Sequence, residues 1–120
     1  MATETEEKRS ELKTLLDGLV EKYENTLRDN PEYRKELEGL KRTVLIDAGE
    51  EKYHFTLENG ELKDYGEGDL EGADITISAP PEVFIALIKG ELSPMRAMAK
   101  KMVHIKASLS DLLRFRKFFG

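Results

Sequence analysis

The chain has 120 residues, 39% of them apolar and 36% charged, with a formal net charge of −5 and no cysteine. That is enough sequence for one domain with a single buried core, and the missing thiols exclude disulfides, thiolate catalysis and thiolate metal sites. No segment approaches the roughly 20 consecutive apolar residues of a membrane span. The acidic start Met1-Ala2-Thr3-Glu4-Thr5-Glu6-Glu7 lacks the apolar run of a signal peptide, so a cytoplasmic location is expected.

Residues 1–10 read as a flexible lead-in and residues 11–120 as the single domain. Leu12, Leu15, Leu16, Leu19, Val20, Tyr23 and Leu27 fall at the spacing of one helical face, with Glu and Lys opposite. Asn30-Pro31 is expected to cap and open a shorter helix carrying Tyr33, Leu37 and Leu40. Thr43–Asp47 is β-branched enough for a strand. In the next segment Tyr53, Phe55 and Leu57 alternate with Lys52, His54, Thr56 and Glu58, the mark of a strand buried on one face. Asn59-Gly60 is the strongest short hairpin signal, since both turn positions need positive φ, and Glu61–Tyr65 returns from it.

A fourth strand is expected over Ala73–Ser78. Pro80-Pro81 fits only the first turn of a helix, which carries Val83, Phe84, Leu87 and Ile88 and stops at Gly90. Ser93-Pro94 opens another helix with Met95, Met98 and then Met102 on one side. Met102–Ala107 reads as the fifth strand. Ser108-x-x-Asp111 resembles a capping box with Asp in place of Glu and starts a last helix over 109–119. One face of the sheet alternates with polar residues, so helices are expected on the other face only, an α+β domain.

Charge is unevenly spread. Residues 1–82 hold 11 Lys/Arg against 22 Asp/Glu, whereas residues 83–120 hold 8 against 2. Two readings stand: the halves pack with opposite charges together, or the basic half forms a rim for anionic headgroups. Nucleic acid is not expected as a partner, because the net charge is negative and no base-reading motif is present.

The order of these elements resembles the sterol carrier protein type-two domain, the sterol-binding or nonspecific lipid-transfer family. The resemblance is carried by Ala73-Asp74-Ile75-Thr76-Ile77-Ser78, by Val83-Phe84-Ile85-Ala86-Leu87-Ile88 and by Gly90-Glu91-Leu92-Ser93-Pro94, with the Asn59-Gly60 hairpin and Val103–Lys106 in matching places. It implies a five-stranded mixed sheet with helices packed on one face and an apolar tunnel between the layers. It also implies non-covalent binding of a fatty acid, fatty acyl-CoA, phospholipid or sterol. Two departures stand out. Ala107 occupies a position where the family often has Gly, and the chain ends Phe118-Phe119-Gly120 rather than in a peroxisomal tripeptide.

On this basis Phe84, Leu87, Ile88, Met95, Met98, Met102, Leu112, Leu113, Phe115 and Phe119 are the expected lipid-binding residues, with Arg96, Lys100 and Lys101 at the anionic head. Methionine is unbranched and polarisable, and suits a ligand of variable shape. Phe84, Leu87 and Ile88 on the third helix also read as plain core, as do Phe55, Ile75 and Ile77 on the sheet. Whether all these apolar side chains surround a pocket or fill a solid core is open in the residue pattern itself.

Catalysis is not expected. His104, Ser108 and Asp111 are triad residue types, but no nucleophile elbow surrounds Ser108 and helix capping explains its position. His54 and His104 are the only histidines and lack carboxylates at ligand spacing. No cofactor or metal is expected. The expected function is carriage of a long-chain lipid by a monomer, with a homodimer open and transient contact with a membrane surface. The alternative is a small interaction or oligomerisation module that docks through its apolar C-terminal helix.

Overall fold

The computed structural model describes the backbone of residues 4–115 and the side chains of residues 11–113. The chain forms α1 (Glu4–Asp29), α2 (Pro31–Glu36), β1 (Lys41–Asp47), β2 (Lys52–Glu58), β3 (Glu61–Glu67), β4 (Ile75–Ser78), α3 (Pro81–Ile88), α4 (Pro94–Ala99), β5 (His104–Lys106) and α5 (Leu109–Phe115). The five strands make one sheet in the order β3-β2-β1-β4-β5. Every pairing is antiparallel except β1 with β4. The expected α+β architecture, a mixed five-stranded sheet with helices, is therefore present. Among the described residues no helix is long and apolar enough to cross a membrane.

Register sorts the side chains by face. Val44 pairs with Phe55 and Ile75, Ile46 with Tyr53 and Ile77, Leu57 with Leu62, and Ile77 with Ile105. Cross-strand partners share a face, so these residues form one apolar surface. The opposite face carries Thr43, Asp47, His54, Thr56, Thr76, Ser78 and Lys106, with buried Leu45 as its exception. β3 holds an extra residue between the Thr56–Lys63 and His54–Gly66 pairs, where Asp64 takes φ 55°. This is a β-bulge on an edge strand.

The apolar face is covered in two parts. Leu12 and Leu16 of α1 and Phe84 of α3 pack on Ala48 and Tyr53, with Ile46, Ile77 and Ile88 against them, as a solid core at one end of the sheet. Lys89 Nζ donates to Glu11 Oε1 at 2.9 Å where α3 meets α1. Toward the other end, Leu27, Leu37 and Leu40 are buried around the end of α1 and the α2 turn.

Several local expectations are met. Asn59 and Gly60 take φ 53° and 83°, and Pro80 and Pro81 occupy the cap and first position of α3. Ser93 Oγ accepts from Arg96 N–H at 3.1 Å. Others are corrected. Asn30 makes no side-chain cap to α2; its Nδ2 donates back to Thr26 O at 2.9 Å, closing α1 instead. β4 begins at Ile75 rather than Ala73, because the Asp74 carboxylate takes the Thr43 N–H at 2.9 Å. β5 begins at His104 rather than Met102, because Met102 N–H is spent on Ala97 O at the end of α4. Leu19, expected on the buried face of α1, is 45% exposed. Of the last helix, residues 116–119 lie outside the described residues.

Candidate functional site

Next to the solid core, the sheet and helices separate enough to leave a cavity of about 210 Å3. Its floor is Val44, Phe55, Leu57, Leu62, Ile75, Ile77 and Ile105 of the sheet. Tyr23 of α1 and Leu37 wall one side, and Ala107, Asp111 and Leu112 wall the other. No polar atom contributes to its open surface. Alternation supplies this lining, because Val44 of β1, Phe55 and Leu57 of β2 and Ile75 and Ile77 of β4 fall on the same face of the sheet.

Two polar groups of the lining, the Tyr23 hydroxyl and the Asp111 carboxylate, make bonds away from the cavity. Tyr23 Oη donates to Gly60 O at 2.9 Å, and burial pushes its phenol upward in pKa. Asp111 is 4% exposed, and its Oδ2 accepts from Arg42 Nε at 2.8 Å. That hydrogen bond raises the Arg42 guanidinium further above its ordinary range. The capping box is thus half formed. Ser108 Oγ accepts from Asp111 N–H at 3.2 Å, while the Asp111 carboxylate is bonded to β1.

The volume of about 210 Å3 falls below the roughly 300–1,000 Å3 of typical small-molecule sites. α5 turns Asp111 and Leu112 inward and leaves Leu109 and Leu113 exposed.

Of the residues read as lipid-binding from sequence, Leu112 lines this cavity. Phe84 is buried in the adjoining solid core, Ile88 packs against it and Leu87 is half-buried. Met95, Met98, Met102 and Leu113 stand exposed. The side chain of Phe115 and all of Phe119 lie outside the described residues. Arg96, Lys100 and Lys101 are exposed and do not contribute to the cavity wall. Lys101 and Met102 instead border a separate open groove of about 920 Å3 beside Glu50, Glu82 and His104.

Phe55, Ile75 and Ile77, read as plain core, belong to the cavity floor. Val44, Leu57, Leu62, Tyr23 and Leu37 were not singled out, although the period-two pattern already put Leu57 on the face of Phe55. Among the described residues no cluster of His, Asp or Glu could hold a metal ion.

Comparison with known proteins fits this architecture. No curated protein matches the sequence. Sterol carrier protein 2 like 2 from Aedes aegypti is 14% identical with a TM-score of 0.60, over 88% of this chain and 95% of that one. A palmitated form of that protein is 12% identical with a TM-score of 0.56, over 83% and 89%. The inverting sec-alkylsulfatase Pisa1 from Pseudomonas sp. is 19% identical with a TM-score of 0.54, over 72% of this chain. This chain spans only 14% of that sulfatase. At such identities the likeness is one of fold. The sequence itself matches the model of the SCP-2 sterol transfer family over residues 20–120, and the chain belongs to that family.

Proposed function

We propose that residues 11–120 form a non-enzymatic, cytoplasmic carrier of a long-chain lipid, a fatty acid, fatty acyl-CoA or phospholipid. The observation that carries this reading is the wholly apolar cavity of about 210 Å3 between the sheet and α5. Its wall suits methylene groups and offers no open polar partner, so a polar head must remain at the mouth. The palmitated relative of the same fold supports an acyl chain as occupant. Two of the triad residue types are engaged elsewhere: Ser108 accepts the Asp111 amide, and Asp111 accepts from Arg42.

Native mass spectrometry of freshly purified protein, followed by organic extraction, tests the proposal. About one acyl lipid per chain is expected. A clean apo mass that added fatty acid or acyl-CoA leaves unchanged, together with an unmoved melting temperature, would overturn it.

One observation favours the interaction module as a second reading. Leu109 and Leu113 are 72% and 61% exposed on one face of α5, a pair one helical turn apart. That reading expects an empty protein that self-associates, and a Leu109→Ser/Leu113→Ser variant that elutes later with lipid binding unaltered.

A further inference from the structure

α4 is anchored by one fully buried side chain, Ala97. At 100° per residue Met95 stands opposite Ala97, and Met98 and Arg96 flank it. Met95 is 65% exposed, Met98 40%, and Met102, just past the helix, 36%. Arg96, Lys100 and Lys101 are interleaved with them and exposed. None of these three cations makes an ion pair among the described residues.

The end of this helix is unusual. Lys101 N–H bonds Met98 O at 3.1 Å and Met102 N–H bonds Ala97 O at 2.9 Å, with Lys101 at φ 58°. α3 ends in the same arrangement, where Gly90 N–H bonds Leu87 O, Glu91 N–H bonds Ala86 O, and Gly90 takes φ 77°. Glycine suits that left-handed position and a lysine there is strained. Strain held at one position points toward a use for the side chain it keeps in place.

Flexible thioethers beside exposed cations suit a lipid–water boundary. The apolar tips enter the acyl region while the cations meet phosphates. Residues 83–120 hold 8 Lys/Arg against 2 Asp/Glu in a chain of net charge −5. Met95–Met102 carries Arg96, Lys100 and Lys101 and no Asp or Glu, so an anionic surface attracts this segment. We propose that Met95–Met102 is the face by which the protein docks on an anionic lipid bilayer. The inference rests on the carrier reading for its purpose. It moves Arg96, Lys100 and Lys101 from the head of a bound ligand to the headgroups of the membrane.

Flotation with phosphatidylglycerol–phosphatidylcholine vesicles tests it, alongside binding of a fluorescent fatty acid without vesicles. Wild type is expected to float with the mixed vesicles, to be released by high salt, and to ignore pure phosphatidylcholine. Neutralising Lys100 and Lys101 to Gln should weaken flotation about fivefold per charge, and Met95→Ser/Met98→Ser should weaken it at unchanged charge. Fatty-acid binding in solution stays unchanged in both variants. Lys101→Gly should raise the melting temperature while lowering vesicle affinity, a pairing that a purely structural role does not give.

Equal flotation with neutral vesicles, or undiminished flotation of the variants, overturns the inference. So does a wild-type dimer that Met95→Ser/Met98→Ser converts to monomer, which assigns the face to a second copy. Loss of solution fatty-acid binding in the Lys variants returns the cations to the ligand head and also overturns it. Wild type that floats but binds no fatty acid leaves the docking face standing and removes the carrier reading alone.

Discussion

Arg42 Nε and Asp111 Oδ2 meet at 2.8 Å across 69 positions of chain and join α5 to the start of β1. The Asp111 side chain is 5% exposed and that of Arg42 30%. Removing one partner of a fully buried pair costs about 3–5 kcal/mol. With the guanidinium partly in water, Asp111→Ala should cost about 1–3 kcal/mol in a urea titration. Arg42→Leu/Asp111→Leu should recover most of that loss. Additive losses in the double variant would show that the two residues act independently.

Ala107 borders the cavity as a small side chain between β5 and α5. Ala107→Leu places three more carbons into empty space rather than into packed atoms. Its melting temperature should hold or rise, and affinity for a long-chain fatty acid should fall at least about tenfold. A variant that keeps wild-type affinity would place the acyl chain elsewhere.

Two phenols make stability fall in alkali. Tyr53 Oη donates to Glu51 Oε1 at 3.0 Å, and Tyr65 Oη donates to Asp17 Oδ1 at 2.9 Å. Burial first, and then the bonded carboxylate, pushes both well above the ordinary 10.0. The folded state keeps protons that the unfolded chain releases, so the stabilisation is complete below pH 10 and is lost as pH climbs beyond it. Melting temperature should be insensitive to these groups at neutral pH and should drop progressively above pH 10. Tyr53→Phe/Tyr65→Phe should flatten that slope, even though removing the hydroxyls lowers stability at neutral pH.

Gly60 is fixed both by its backbone and by its neighbours. Its φ is 83°, and an added Cβ would lie 3.3 Å from Arg34 Cα. Its carbonyl also receives Tyr23 Oη. Gly60→Ala should cost about 1–3 kcal/mol in thermal or urea unfolding. Gly49→Ala is the control, since Gly49 has φ 89° but open space around it. It should show the backbone strain alone, and an equal loss at both sites would remove the close approach of Arg34 as a cause.

What the sequence disclosed was decided within a few residues. Asn59-Gly60 required a hairpin, Pro80-Pro81 a helix start, and Tyr53-x-Phe55-x-Leu57 a buried strand face. Alternation could not tell Tyr53 from Phe55, since both point to the same face and differ only in what lies above them: α1 with α3, or the cavity. The methionine spacing in α4 defined a stripe without defining its direction, which Ala97 sets by being the side chain that is buried. Asp111 and Asn30 had plausible short-range partners in sequence. Asp111 reaches a strand 69 residues away, and Asn30 turns back to the helix before it.

The bulge on β3 also guards the molecule against its own kind. An outermost strand with free amides and carbonyls is a template for a stranger's strand, and a sheet with one greasy face is a poor candidate for such growth to be harmless. Here Asp64 kinks one border out of line and Glu61, Lys63 and Asp64 are exposed along it. The opposite border, β5, is three residues long and displays His104 and Lys106. Neither margin offers a straight, uncharged ladder, so a chain that keeps an oily hollow on its sheet is shielded from fibril-like stacking on both sides.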